Sequence, residues 1–203
     1  LRDLEYSDDP LAWTDADREE LARMVRERTK PIVVVANKAD IAPEDNIERL
    51  QEAAERVVPC SAESELALRN AAEGGVVDYD PGDEAFTITG DVSETQRSGL
   101  ERIRSVLEEH GGTGVQAALD EAVYDLLDRI TVYPVQNETH WIDGQGNVLP
   151  DAFLLTSEST PKDLASAVHS DIAAGYLHAV DARAKRRISE DHELAEGDVI
   201  KIV

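Results

Sequence analysis

Four consecutive residues, Asn37-Lys38-Ala39-Asp40, carry the sharpest chemical signal in the chain. They follow Ile32-Val33-Val34-Val35-Ala36, a continuous apolar run of the kind found in parallel strands buried on both faces. Ligands of open parallel sheets bind beyond the carboxyl ends of strands, so the tetrapeptide stands where a site is expected. The carboxylate of Asp40 can accept two neighbouring hydrogen bonds, and guanine offers that pair in its ring N–H and exocyclic amine. Adenine offers neither donor there and would leave the carboxylate unpaired. The stem of Lys38 can lie against a purine face, because long basic side chains bury their methylenes. Asn37 can tie the loop to its neighbours and to the base. After the next short apolar run, Val57-Val58-Pro59-Cys60, come Ser61 and Ala62, where the backbone N–H of Ala62 can reach the base carbonyl. The candidate nucleotide-binding residues are therefore Asn37, Lys38, Asp40, Ser61 and Ala62, with GTP or GDP as the ligand.

A second cluster is cationic. Arg183, Lys185, Arg186 and Arg187 put four positive charges into five positions of a strongly acidic chain. Such a cluster suits a contact with RNA or the ribosome; equally, charges on a solvated strand edge guard it against pairing with another strand. No histidine pair among His110, His140, His169, His178 and His192 has metal-ligand spacing with a third partner, so no metal site is read from them. Cys60 has no evident base beside it and reads as a packing thiol. Trp13 and Trp141 read as core or interface anchors.

The chemistry of phosphoryl transfer is missing from these letters. No G-x-x-x-x-G-K-[ST] occurs, and no glycine is followed by lysine anywhere. Before Pro81-Gly82 the aspartate position of an Asp-x-Pro-Gly switch is held by Tyr79. Without a phosphate-cradling loop, its lysine and a magnesium-binding hydroxyl, this chain is expected to hydrolyse nothing.

Of the 203 residues, 43 are acidic and 20 basic, for a formal net charge of −23. The basic residues are 15 arginines and only 5 lysines, and the acids are spread evenly along the chain. An evenly acidic, lysine-poor surface suits solubility in molar salt, where the Debye length shrinks to roughly 3 Å. The expectation is a halophilic, cytoplasmic protein. A single cysteine excludes a disulfide framework, and no apolar run approaches the ~20 residues of a membrane helix. The chain begins at Leu1 and its only methionine is Met24, which suggests a piece of a longer protein.

The elements that must position these residues follow from spacing. Thr14 with Asp15 and Asp17 starts a helix that Pro31 ends. The run at 32–36, a helix over about 44–56 and the strand at 57–60 make a βαβ unit. A helical stretch at 64–73 precedes a loop or short strand pair at 78–89. Ser93-x-x-Gln96 and Thr113-x-x-Gln116 read as capping boxes, the second opening a helix through Leu119 and Leu126 to Ile130. Then the grammar changes. Residues 130–135 form a strand with a hairpin partner at His140–Asp143, Thr160-Pro161 opens a helix ended by Gly175, and three short strands lie at 176–180, 186–188 and 199–203. Two strands, a helix and more strands is the order of a β-grasp.

The Asn37–Asp40 motif followed by Ser61-Ala62 resembles the fourth and fifth motifs of translation-factor-class P-loop GTPases. The stretches Gly111-Gly-Thr-Gly-Val-Gln116, Val132-Tyr-Pro-Val135, Gly146-Asn-Val-Leu-Pro-Asp-Ala-Phe-Leu-Leu155, Val168-His-Ser-Asp-Ile172 and Gly197-Asp-Val-Ile-Lys-Ile202 are similar to archaeal Obg-related GTPases of the YchF type. Beyond Ile130 the chain resembles a TGS domain. The resemblance implies an α/β plus α+β fold: residues 1–63 as the C-terminal half of a Ras-like P-loop GTPase domain, 64–129 as a helical connector and 130–203 as the β-grasp TGS domain. It also implies a guanine-nucleotide-binding protein linked to the ribosome or RNA, with Mg2+ needed only in the full-length parent. The rival readings are a non-enzymatic RNA- or ribosome-binding module acting through the TGS domain, and a pure interaction scaffold.

Overall fold

A computed structural model describes residues 12–203, so residues 1–11 of the first expected segment lie outside the described residues. The chain divides into two compact units, one ending at Leu119 and the other running from Asp120 to Val203.

In the first unit α1 (Asp15–Thr29) starts at Thr14, whose hydroxyl accepts from Asp17 N while the Asp17 carboxylate accepts from Thr14 N. β1 (Val34–Asn37), α2 (Glu44–Ala53) and β2 (Val57–Cys60) form the expected βαβ unit, with the two strands parallel in the register Val34 to Val57 through Asn37 to Cys60. α3 (Ala62–Glu73) begins at once, because Ser61 caps it by accepting from Ser64 N. β3 (Val77–Asp78) and β4 (Thr87–Ile88) form an antiparallel pair, followed by α4 (Glu94–His110) behind the Ser93–Gln96 capping box. The core of this unit joins Leu68, Val77, Tyr79, Phe86, Leu100 and Leu107.

Three expectations need correction here. The apolar run at 32–36 is not buried on both faces: Ile32 is 55% and Val35 45% exposed, because β1 pairs only with β2 among the described residues. Thr113 forms no capping box, since its hydroxyl donates to Glu65 across the unit. The helix behind it is short, α5 (Val115–Asp120), and continues as a π-helical stretch (Glu121–Leu126) that ends before Ile130. There Leu127 N donates to Ala122 O, the wider spacing that defines such a turn.

The second unit is a five-stranded mixed sheet with strand order β6-β5-β9-β7-β8. Its strands are β5 (Arg129–Val135), β6 (Phe153–Thr156), β7 (Ala179–Asp181), β8 (Arg186–Ile188) and β9 (Asp198–Ile202). β5 and β9 are parallel and the other neighbours antiparallel. α6 (Pro161–Val168) places Leu164 in one cluster with Ile130, Val132, Ala179 and Ile200, which is the β-grasp arrangement. Extended backbone at His169 (φ −167°) separates α6 from α7 (Ser170–Ala174), where a single helix was expected. The hairpin partner of β5 itself is β6; residues 140–143 pair only just beyond it, where Gln136 N and Asn137 N donate to Ile142 O in an isolated antiparallel bridge. Those residues are held in turns by Asn137 Oδ1, which accepts from Thr139 N and His140 N, and by Asp143 Oδ1, which accepts from Gln145 N and Asn147 N. Short polar side chains bonded to nearby backbone compete with strand pairing in this way.

Candidate functional site

β1 delivers Asn37 and β2 delivers Cys60 to adjacent positions at the carboxyl end of the parallel pair. The chain then turns at Lys38, whose φ of +70° lies in the left-handed region. Asn37 Oδ1 accepts from Lys38 N at 2.8 Å and from Ala62 N at 3.2 Å, so one side chain ties both loops together. Ala39 N donates to Cys60 O at 2.9 Å. Ser61 Oγ donates to Asp40 Oδ1 at 2.8 Å. The second oxygen of Asp40 receives no hydrogen bond from any described residue, and the side chain is exposed. Asn37, Lys38, Asp40, Ser61 and Ala62 thus come together at one sheet end. The N–H of Ala62, expected to face a base, is held by Asn37 instead.

Cavities open on both sides of this turn. One of about 350 Å³ is lined by Asp40 and Ser64 and by Gly99 and Arg102 of α4. The other, of about 450 Å³, lies between Asn37 and α2.

Residues 35–137 match the family described as Obg-like GTPase YGR210-like, G4 motif-containing domain, and residues 145–203 match the TGS domain. The chain belongs to the YGR210-like Obg-like GTPases. It is 43% identical over 206 residues to a GTP-binding protein of Methanocaldococcus jannaschii, covering all of this chain and 52% of that protein. It is 31% identical over 169 residues to a GTP-binding protein of Schizosaccharomyces pombe, covering 76% of this chain and 41% of that one. The crystal structure of a GTP-binding protein from Pyrococcus horikoshii superposes on 97% of the chain with a TM-score of 0.69 at 40% identity, covering 52% of that structure. The Schizosaccharomyces pombe YchF GTPase shares the fold at 11% identity with a TM-score of 0.50, over 94% of this chain and 48% of that one. The chain spans about half the length of the relatives it matches.

Within this YGR210-like chain, composition gave no notice of the residues behind the site. Glu65 on α3 is only 4% exposed, yet its carboxylate accepts from Tyr79 Oη at 2.7 Å, Thr113 Oγ1 at 2.6 Å and Arg69 Nε at 2.6 Å. Burial raises its pKa, but these three donors outweigh burial and hold the carboxyl below the usual range. Burial, followed by the hydrogen bond to Glu65 and then its charge, pushes the Tyr79 hydroxyl up to about 12. Burial also raises the Cys60 thiol, with Glu65 second, which favours the protonated packing form. The signal that marked this region was Gly111-Gly-Thr-Gly114, whose threonine also fits an N-cap.

The cationic cluster is split by the fold. Arg183 donates through Nε and Nη2 to Gly197 O at 3.0 and 2.9 Å and stacks 5.0 Å from the Trp141 ring centroid. Lys185, Arg186 and Arg187 are exposed on the β7–β8 hairpin; Arg186 and Arg187 pair through their backbone with β7, and the charge of Arg187 acts on Tyr176. Among the described residues no group of three or more His, Cys, Asp or Glu side chains could hold a metal ion. No helix among them is long and apolar enough to cross a membrane.

Proposed function

We propose that Asn37, Lys38, Asp40, Ser61 and Ala62 form the base-recognition part of a guanine-nucleotide site. The observation that carries this reading is the Asp40 carboxylate: one oxygen is anchored by Ser61, and the other is open at the end of a parallel strand. A guanine N1–H and 2-amino group can bond to that carboxylate, and hydrogen bonds to a charged group contribute about 1.5–3 kcal/mol each. The GTP-binding relatives support the choice of base. In this reading residues 1–63 belong to the Ras-like domain, 64–129 connect, and 130–203 form the TGS domain of a cytoplasmic, salt-adapted protein. Turnover of GTP, and the Mg2+ it uses, belong to a longer parent; the chain itself is expected to bind GDP weakly and hydrolyse nothing. Nucleotide titrations followed by amide chemical shifts test the site. GDP should bind more tightly than ADP or IDP, and Asp40→Ala should lose about tenfold or more of the preference over IDP, which lacks the 2-amino group. Equal binding of GDP and IDP by the unsubstituted chain would end the proposal.

A second reading, a non-enzymatic RNA or ribosome contact through the TGS domain, is favoured by one observation. Lys185, Arg186 and Arg187 are exposed side by side on the hairpin of an otherwise acidic protein. Phosphate contacts by such cations set nonspecific affinity and its salt dependence. Arg186→Glu with Arg187→Glu should abolish co-sedimentation with ribosomes, and retention of it excludes this surface.

A further inference from the structure

Discrimination at Asp40 depends on how firmly one carboxylate is aimed, because a tolerance of about half an ångström separates a site from a loose one. Its anchor is the Ser61 hydroxyl, on a residue that is 1% exposed. A hydroxyl has one proton. That proton faces two acceptors, Asp40 Oδ1 and Ser64 Oγ, each 2.8 Å away, while Ser61 Oγ itself accepts from Ser64 N. What places Ser61 itself comes from outside its helix: its N–H donates to Thr113 O at 2.8 Å.

Thr113 is in turn 4% exposed, and its hydroxyl ends on Glu65 Oε2 at 2.6 Å. The same carboxylate collects Tyr79 from the end of β3 and Arg69 from α3. A buried carboxylate is costly unless it is paired and hydrogen-bonded, and here one guanidinium and two hydroxyls donate to it. Gly114 then passes so close to β2 that a Cβ on it would stand 1.9 Å from Pro59 O and 2.8 Å from Cys60 Cα. With its φ of +79°, only glycine fits. The loop 112–114 is pressed against the two residues that precede Ser61. Neither cavity beside Asp40 is lined by Glu65, Tyr79 or Thr113.

We infer that Thr113 and Glu65 are positioning residues for base discrimination, acting on Asp40 through the backbone and hydroxyl of Ser61. This rests on the proposed guanine site. The test uses the 203-residue chain and measures affinities for GDP and IDP, with circular dichroism to confirm folding at the temperature used. Thr113→Val, which removes the hydroxyl and keeps the carbonyl, should cut the GDP-over-IDP ratio about threefold or more, and Glu65→Gln likewise. Thr113→Ser should retain the ratio. A Thr113→Val protein that melts earlier yet keeps the full ratio overturns the inference. Should Thr113→Val not fold, Tyr79→Phe removes one donor to Glu65 from another segment; a lowered ratio supports the inference and an unchanged one overturns it. Asp40→Ala separates the two levels. If it collapses the ratio while Thr113→Val does not, the positioning role alone fails. If it leaves the ratio intact, the site and the positioning role fail together.

Discussion

The two sheets of this protein are held in opposite ways. The five-stranded sheet of the second unit rests on a dry interior in which Leu164, Val132, Ala179 and Ile200 have no exposed surface. The two-stranded sheet that carries Asp40 has no such support: along β1 and β2 only Cys60 is buried, α1 buries no residue, and Leu50 of α2 is 37% exposed. What orders the Asp40 end is polar and steric, a few hydrogen bonds at strand ends and a glycine loop pressed against Pro59. The proposed recognition site thus lies off the best-packed layer of the described residues. It needs its own end of the strand to be determined, and buried polar groups can do that.

Substitutions break this contrast in a definite order. The largest effect is expected from Gly114→Ala, where a methyl overlaps backbone and the φ is unfavourable; the first unit should lose cooperative unfolding while the second keeps it. Each unit holds one tryptophan, Trp13 and Trp141, so single-tryptophan versions report the units separately by fluorescence. Next, Leu164→Ala should cost about 2–5 kcal/mol in the second unit, read from denaturant unfolding at Trp141.

A pH titration sharpens the contrast further. The Tyr79 pKa in the folded state is raised from 10.0 to about 12, so its contribution is complete below pH 10 and is lost as pH rises towards 12. At about 1.4 kcal/mol per unit, that is at most about 3 kcal/mol. Tyr79→Phe should flatten this alkaline arm at Trp13. Glu65 has the opposite sign: its folded pKa is depressed, so its contribution is present above about 4.5, the ordinary value, and lost as pH falls through the lower one. The smallest effect is expected from Leu50→Ala, within about 0.5 kcal/mol, as for an exposed position.

Legibility in the sequence followed the range of the interactions. Asn37, Asp40 and Ser61 could be read because each letter has a local duty beside a strand, and Ser93, Thr14 and Thr160 because capping is a matter of three residues. The Glu65–Tyr79–Thr113 network was not readable: its members are 14 and 48 positions apart, and each has an innocent local meaning. Thr113 in particular fits a helix cap until a deeper acceptor claims its hydroxyl. The burial of β1 was misjudged for a related reason. An apolar run tells that a strand can be covered, and the cover itself is a property of distant chain. The cationic cluster was visible as charge, but the folding-back of Arg183 onto Trp141 and Gly197 was not.

The order of the five-stranded sheet has one more consequence, for colloidal behaviour. Its two rims are unequal. β8 exposes Arg186 and Arg187 along one rim, and like charges there repel an approaching copy. The opposite rim, β6, reads Phe153-Leu-Leu-Thr156 with Leu154 55% exposed, and its nearest flanking charges are Asp151 and Glu158. Those two acids are gatekeepers whose reach shortens as ions are added. Concentrated brine, which relieves the acidic surface everywhere else, disarms the guard at this rim, so clumping on heating should begin with β6 zipping to β6.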